Sequence, residues 1–137
     1  MPNASTLQFL LTLAKGIASQ FGPNCEVVVH DLATNDPERS IVAIENGHVT
    51  GRKVGDGPSH VVLEALRGNP EQLHDHLSYL TRTKDGKILK STTIYIRDDD
   101  GAPIGIFGIN YDITLMLAME NAIKQFTATE KDEKEPE

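Results

Sequence analysis

The sequence predicts an α+β domain in which a five-stranded antiparallel sheet carries a helical insert and is flanked by an N-terminal and a C-terminal helix. Two observations support this fold class. Apolar residues near both ends of the chain recur at three- and four-residue steps, as they do on one face of a helix. Between these ends, five short strand-like segments are bounded by glycine, asparagine and aspartate. The 137 residues have the length of one domain.

The N-terminal helix is predicted from a stripe of apolar residues that ends at Phe21. Ser5 or Asn3 is expected to cap its start, since both side chains accept hydrogen bonds from backbone N–H groups. Gly22-Pro23 is expected to end it. The stripe consists of Leu7, Leu10, Leu11, Ala14, Ile17, Ala18 and Phe21.

Two strands are predicted next, at Glu26–Leu32 and Ser40–Glu45, because valine and isoleucine dominate both segments. The residues between them, Thr34-Asn35-Asp36-Pro37, are typical of a turn. Residues 47–58 contain four glycines and one proline, and a glycine-rich loop inside a compact domain is often functional. A helix at Ser59–Arg67 completes the insert, followed by a stop at Gly68 and a short helical turn that ends near Leu73.

Three strands are predicted to form an antiparallel meander at Asp75–Thr83, Ile88–Arg97 and Pro103–Asp112, because Asp-Gly sequences separate them. A last helix is predicted from Thr114, its expected N-cap. Residues 128–137 are polar and charged, so they are expected to form a disordered acidic tail behind a domain at 1–127.

Composition limits the function. The net charge of −7 disfavours a chain that holds a nucleic-acid backbone by itself, because such binding depends on cationic side chains. A single cysteine, Cys25, excludes an internal disulfide, and its apolar neighbours indicate a buried thiol. No segment has the length and hydrophobicity of a membrane span or a signal peptide, so we expect a cytoplasmic protein with no membrane partner.

Three separated blocks of the sequence resemble the YheO-like PAS domain family. They are FGPNCEVVVHDL (21–32), SIVAIENGHVTGRKVGDGPS (40–59) and TKDGKILKSTTIYIRDDDGAPIGIFGINYDIT (83–114). The resemblance implies a PAS fold and the sensory half of a bacterial helix-turn-helix transcriptional regulator. It implies that a small metabolite binds non-covalently and that the last helix transmits the signal. No basic recognition helix follows residue 127, so DNA contact is expected only through a separate C-terminal domain.

Strand periodicity selects the candidate ligand-binding residues, because alternate residues share a face of a sheet. On the last strand, Asn110 and Asp112 share a face with Gly108, and the opposite face is expected to pack under the N-terminal helix. The amide of Asn110 is a candidate ligand contact, although it could instead satisfy nearby backbone. Asp112 could pair with a ligand ammonium group or cap the last helix. On the preceding strand the candidates sharing a face are Ser91, Thr93 and Tyr95.

The helical insert adds His60, which could reach the pocket or lie at the surface, and Arg52 with Lys53 in the glycine loop. An arginine fork suits a carboxylate. An amine held by Asn110 and Asp112 and a carboxylate held by Arg52 would together suit an amino acid or a related metabolite.

Two other function classes compete with sensing. A metal-assisted enzyme would need a third ligand beside His74 and His76, and no such spacing is present. No catalytic or nucleotide-binding motif occurs, and neither haem nor flavin has support from a motif, so no enzyme activity, cofactor or metal is expected. A ligand-free dimerisation or protein-interaction module remains the alternative, because both end helices carry apolar stripes. A homodimer is expected.

Overall fold

The computed structural model describes residues 4–33 and 36–130. Its helices are α1 (Ala4–Phe21), α2 (His60–Arg67) and α3 (Thr114–Thr127). Its strands are β1 (Cys25–Asp31), β2 (Ile41–Glu45), β3 (His76–Arg82), β4 (Ile88–Arg97) and β5 (Pro103–Asp112). Three short 3-10 turns lie at Pro37–Arg39, Gly47–Val49 and Pro70–Gln72. No helix within the described ranges is both long and apolar enough to cross a membrane.

The five strands form one antiparallel sheet in the order β2-β1-β5-β4-β3, which confirms the predicted α+β architecture. β5 lies at the centre, between β1 and β4, although β1 and β5 are far apart in the chain. Two register pairs define the centre of the sheet, Glu26 opposite Asn110 and Asn110 opposite Ser91. The first and last strands therefore bring distant polar residues together.

One face of the sheet packs under α1. Leu10, Ala14 and Ala18 are buried and lie four residues apart, so they occupy one helical stripe. This stripe contacts buried residues of β1 and β5, including Val27 and Phe107. The prediction that the face of β5 bearing Phe107 packs under the N-terminal helix is confirmed.

The opposite face of the sheet is turned towards the insert. Tyr95 and Ile106 form a second apolar cluster with Leu73, and Val62 and Leu66 of α2 pack against it. Because this cluster covers only part of the face, the central strands and the loop before α2 enclose a cavity between them.

Several predicted boundaries were wrong. Ser5 lies inside α1, which begins at Ala4, so it does not cap the helix; Asn3 lies outside the described residues. The N-cap of α3 is Ile113, and Thr114 is already helical. The cause is a hydrogen bond from the Ile113 N–H to the Ile88 carbonyl, which fixes the chain to β4 before the helix begins. The predicted turn at Thr34-Asn35 and most of the predicted tail, residues 131–137, lie outside the described residues.

Candidate functional site

The candidate site is a cavity of about 600 Å³ between the central strands and the segment that leads into α2. Asn110, Gly108 and Ile106 of β5 contribute to its sheet side, and Arg52, Ser59 and His60 contribute to the side of the insert. The cavity extends towards the turn between β3 and β4, where Thr83 and Lys87 lie. The remaining described lining residues are His30, His48, Thr50, Gly51, Pro58, Val62, Tyr79, Thr81, Arg82, Lys84, Asp85, Leu89, Thr92 and Thr93.

Four of the seven candidate residues line this cavity: Asn110, Thr93, Arg52 and His60. They come from β5, β4, the glycine loop and the first turn of α2, so the fold joins residues that were selected separately in the sequence. Lys53, the neighbour of Arg52, is exposed and is not among the lining residues.

The other three candidates, Ser91, Tyr95 and Asp112, are not among the lining residues. Ser91 is buried beside Asn110 and donates a hydrogen bond to its Oδ1 at 2.7 Å. Tyr95 belongs to the apolar cluster under α2, where burial is the main cause that raises the pKa of its phenol. Asp112 holds the start of α3, since its Oδ1 accepts from the N–H of Thr114 at 3.0 Å and from its hydroxyl at 2.6 Å.

A buried hydrogen-bonded chain lies at the sheet side of the cavity. The Asn110 amide donates to Oε1 of Glu26 at 2.8 Å, and its carbonyl accepts from Ser91. Ser91 then accepts from Thr81 at 2.9 Å, because its own proton is used on Asn110. Glu26 is fully buried, so these bonds replace the water that its carboxylate loses on folding. The chain fixes Asn110 and leaves its amide a second N–H and its carbonyl a second lone pair.

Glu26 also anchors the glycine loop. Its Oε2 accepts from the backbone N–H of Thr50 at 3.1 Å and from the Thr50 hydroxyl at 2.6 Å. The loop is held a second time by Lys87, whose ammonium donates to the carbonyls of His48 and Val49. These bonds place Arg52, two residues after Thr50, at the cavity.

His30 is a lining residue that the sequence analysis missed, and it is 4% exposed. Its Nδ1 lies 2.8 Å from Oγ of Ser40. The single hydroxyl proton of Ser40 is donated to the carbonyl of Pro37 at 2.8 Å. Nδ1 must therefore carry the ring proton and donate to Ser40, which leaves Nε2 with a free lone pair.

The charge state of His30 agrees with this tautomer. Burial, with a smaller contribution from the positive charge of Arg52, lowers the pKa of His30 from 6.5 to about 4. The imidazole is therefore neutral at neutral pH, and its Nε2 is a hydrogen-bond acceptor in a cavity with several cationic side chains.

A signal for Glu26 and His30 was available in the sequence. They alternate with Val27 and Val29 on β1, and the valines pack under α1. Two-residue periodicity then places both polar side chains on the opposite face, with Val28 between them. The run of three valines concealed this alternation, because Val28 is apolar on the cavity face.

Neither a metal site at His74 and His76 nor a reactive thiol at Cys25 is supported by the described residues. His74 and His76 belong to no group of three potential metal ligands within the described ranges. Asp75 between them accepts a hydrogen bond from the backbone of Tyr95. Cys25 is buried as expected, and burial, together with the nearby Glu26, raises the pKa of its thiol and so disfavours the reactive thiolate.

Comparison with known proteins identifies the family of this chain. The family model of the YheO-like PAS domain matches residues 1–128. The chain is 38% identical over 106 residues to the uncharacterized protein YheO of Escherichia coli K12, an alignment that covers 72% of this chain and 40% of YheO. It is 29% identical over 126 residues to the transcriptional regulator DauR of Pseudomonas aeruginosa, covering 92% of this chain and 56% of DauR.

The chain thus spans about half the length of the curated relatives it matches. Among solved structures, it is similar to a sensory box histidine kinase/response regulator from Burkholderia thailandensis, with 17% identity and a TM-score of 0.46, over 82% of this chain and 93% of that one. The family model covers 128 of the 137 residues. The chain belongs to the YheO-like PAS domain family, which has relatives among transcriptional regulators.

Proposed function

We propose that this domain is the sensory module of a bacterial transcriptional regulator and that it binds a small metabolite non-covalently in the cavity. The observation that carries the proposal is the cavity itself, in which polar side chains from four different segments converge on one space. Arg52, His60, Thr93 and Asn110 are the proposed ligand contacts. Ser91 acts through Asn110, which it holds in place.

A route for the signal follows β5 from the cavity to α3. Asn110 lies at the cavity, and Asp112, two residues later, holds the first turn of α3 through Thr114. A ligand that shifts Asn110 would therefore move the base of α3. Every residue of α3 is exposed, so a partner segment could contact the helix. A separate C-terminal segment would contact DNA, in a protein located in the cytoplasm.

A second candidate function is a ligand-free interaction or dimerisation module. It is favoured by the apolar side chains that α3 leaves in solvent, among them Leu115, Ile123 and Phe126, the last being 90% exposed. Pairing of two copies through such residues would bury apolar surface that is costly to expose. A homodimer is compatible with both candidates, and only the sensing function requires the cavity to bind a ligand.

A thermal-shift screen of metabolites tests the sensing function, because a ligand that binds only the folded state raises its melting temperature. Hits are repeated with Asn110→Ser, which changes the cavity, and with His74→Gln, an exposed residue outside it. We expect hits whose effect is lost in Asn110→Ser and kept in His74→Gln. If no metabolite class shifts the melting temperature at millimolar concentration while the protein forms a stable dimer, the interaction module is the correct reading.

A further inference from the structure

We propose that the ligand carries an anionic group, bound by Arg52, and next to it an N–H or O–H donor that is accepted by Nε2 of His30. The inference rests on the proposed sensing function and specifies the ligand class for that site. Carboxylate and phosphate share the anion chemistry, and the experiment below distinguishes them.

The charged residues that line the cavity carry a net positive charge, although the whole chain is acidic and the buried carboxylate of Glu26 lies behind Asn110. The chain has a net charge of −7, yet the charged lining residues within the described ranges are four cations and one carboxylate. They are Arg52, Arg82, Lys84, Lys87 and Asp85. Such a concentration of positive charge in a concave site attracts an anionic ligand.

Arg52 is the cation in this group that is free to bind. Lys87 is already used, since it donates to two loop carbonyls and lies 3.6 Å from the carboxylate of Asp85. Arg82 and Lys84 are exposed at the rim. Arg52 is half-buried as a residue, and its guanidinium has neither an ion pair nor a hydrogen bond to any described residue. A guanidinium without a partner in a concave site can bind a planar or tetrahedral oxyanion.

His30 adds the second requirement. Its proton is committed to Ser40 on Nδ1, and Nε2 has no hydrogen-bond partner among the described residues. His30 is more than nine-tenths buried as a residue and lines the same cavity as Arg52. No fully buried side-chain nitrogen or oxygen within the described ranges lacks a partner, so Nε2 is accessible from the cavity. There it can accept a hydrogen bond from a ligand that brings a donor. In an amino acid, the ammonium would then bind His30, whereas the sequence had suggested Asn110 and Asp112.

Apolar side chains complete the cavity and indicate a ligand with an aliphatic portion. Val62, Leu89 and Ile106 line it together with the polar groups. We therefore choose six-carbon probes that differ in one group at a time: norleucine has both head groups, hexanoate lacks the ammonium, and norleucinamide lacks the carboxylate. Pentyl phosphate replaces the carboxylate of hexanoate with a phosphate.

Binding is measured by NMR titration of the folded chain and of three variants, at millimolar probe concentration. Arg52→Gln should weaken the binding of norleucine and of hexanoate by about tenfold or more, the usual effect of losing a charge-assisted hydrogen bond. Lys53→Gln, which removes the adjacent cation outside the cavity, should change them by less than about twofold. Tighter binding of pentyl phosphate than of hexanoate would assign the anion as a phosphate.

His30→Asn keeps a donor in the position of Nδ1 and removes Nε2. It should weaken norleucine by about fivefold, the value of one hydrogen bond, and leave hexanoate unchanged. The ¹⁵N shifts of the His30 ring supply a readout without any ligand, and a proton on Nε2 would overturn the role of His30. If metabolites from the screen bind the wild type and Arg52→Gln with the same affinity, the anion inference fails and the sensing function stands. If nothing binds, the sensing function itself fails.

Discussion

Acid should destabilise this domain through His30. In the folded state the pKa of its ring is about 4, and in the unfolded chain it returns to its ordinary value of 6.5. Below pH 6.5 His30 is therefore protonated in the unfolded state but stays neutral in the folded state until the pH approaches 4. The free energy of unfolding falls as the pH falls. The loss of stability begins near the pKa of His30 in the unfolded chain and is complete below its pKa in the folded state.

The size of the effect follows from the two pKa values. Their separation corresponds to about 3 kcal/mol when the pH lies below both. Between about pH 7.5 and about pH 5, where most carboxylates are still ionised, His30 should account for about 2 kcal/mol of lost stability. His30 is 4% exposed, so solvent does little to screen this contribution.

Urea unfolding across this pH range measures the effect. His30→Asn retains a donor towards Ser40 and cannot be protonated, so its stability should fall by about 2 kcal/mol less than that of the wild type. His74→Gln replaces an exposed histidine and should follow the wild type. Equal slopes for the wild type and His30→Asn would refute the conclusion that His30 is buried in its neutral form.

Three further substitutions test the packing of the site, each by urea unfolding. Gly108→Ala should destabilise the fold by about 1–3 kcal/mol, because its Cβ would lie 2.9 Å from Cγ1 of the buried Val28. Gly16→Ala, where a Cβ meets nothing within 4 Å in the middle of α1, should instead stabilise it by about 0.5–1 kcal/mol. Asn110→Leu should cost about 2–4 kcal/mol, because it leaves Oε1 of the buried Glu26 without its donor; an unchanged midpoint would show that water replaces the amide.

Much of the fold was predictable because local patterns specify it. Period-two alternation on β5 correctly separated Phe107 from Asn110, and the Asp-Gly turns located the meander. The failures at the helix ends have a different origin. Thr114 has the side chain of an N-cap, but a tertiary hydrogen bond from Ile113 to β4 decides where α3 begins, and local propensity carries no information about that contact.

The candidate site was predictable only in part, because its floor depends on strand order. Asn110 and Glu26 are 84 residues apart and meet only because β5 inserts between β1 and β4. Without that pairing, Asn110 is a single amide with many possible partners, and Ser91 and Thr93 cannot be told apart on one face of β4. The strand pairing distinguishes them. Ser91 lies opposite Asn110 and donates its hydroxyl proton to it, whereas Thr93 lies opposite Gly108 and lines the cavity.

The same pairing makes Glu26 the junction of the site. Its two carboxylate oxygens bind different elements, Oε1 the amide of Asn110 on β5 and Oε2 the Thr50 segment that carries Arg52. A ligand that touches both Arg52 and Asn110 therefore acts on two groups already joined through one buried anion. A glutamine at this position has one carbonyl oxygen and one NH2 group in place of the two carboxylate oxygens. The NH2 group would face either the amide of Asn110 or the donors of Thr50, and two donors cannot form a hydrogen bond. One of the two connections would therefore be lost. Such a variant would retain the cavity and lose the rigid connection between the glycine loop and the strand that leads to α3.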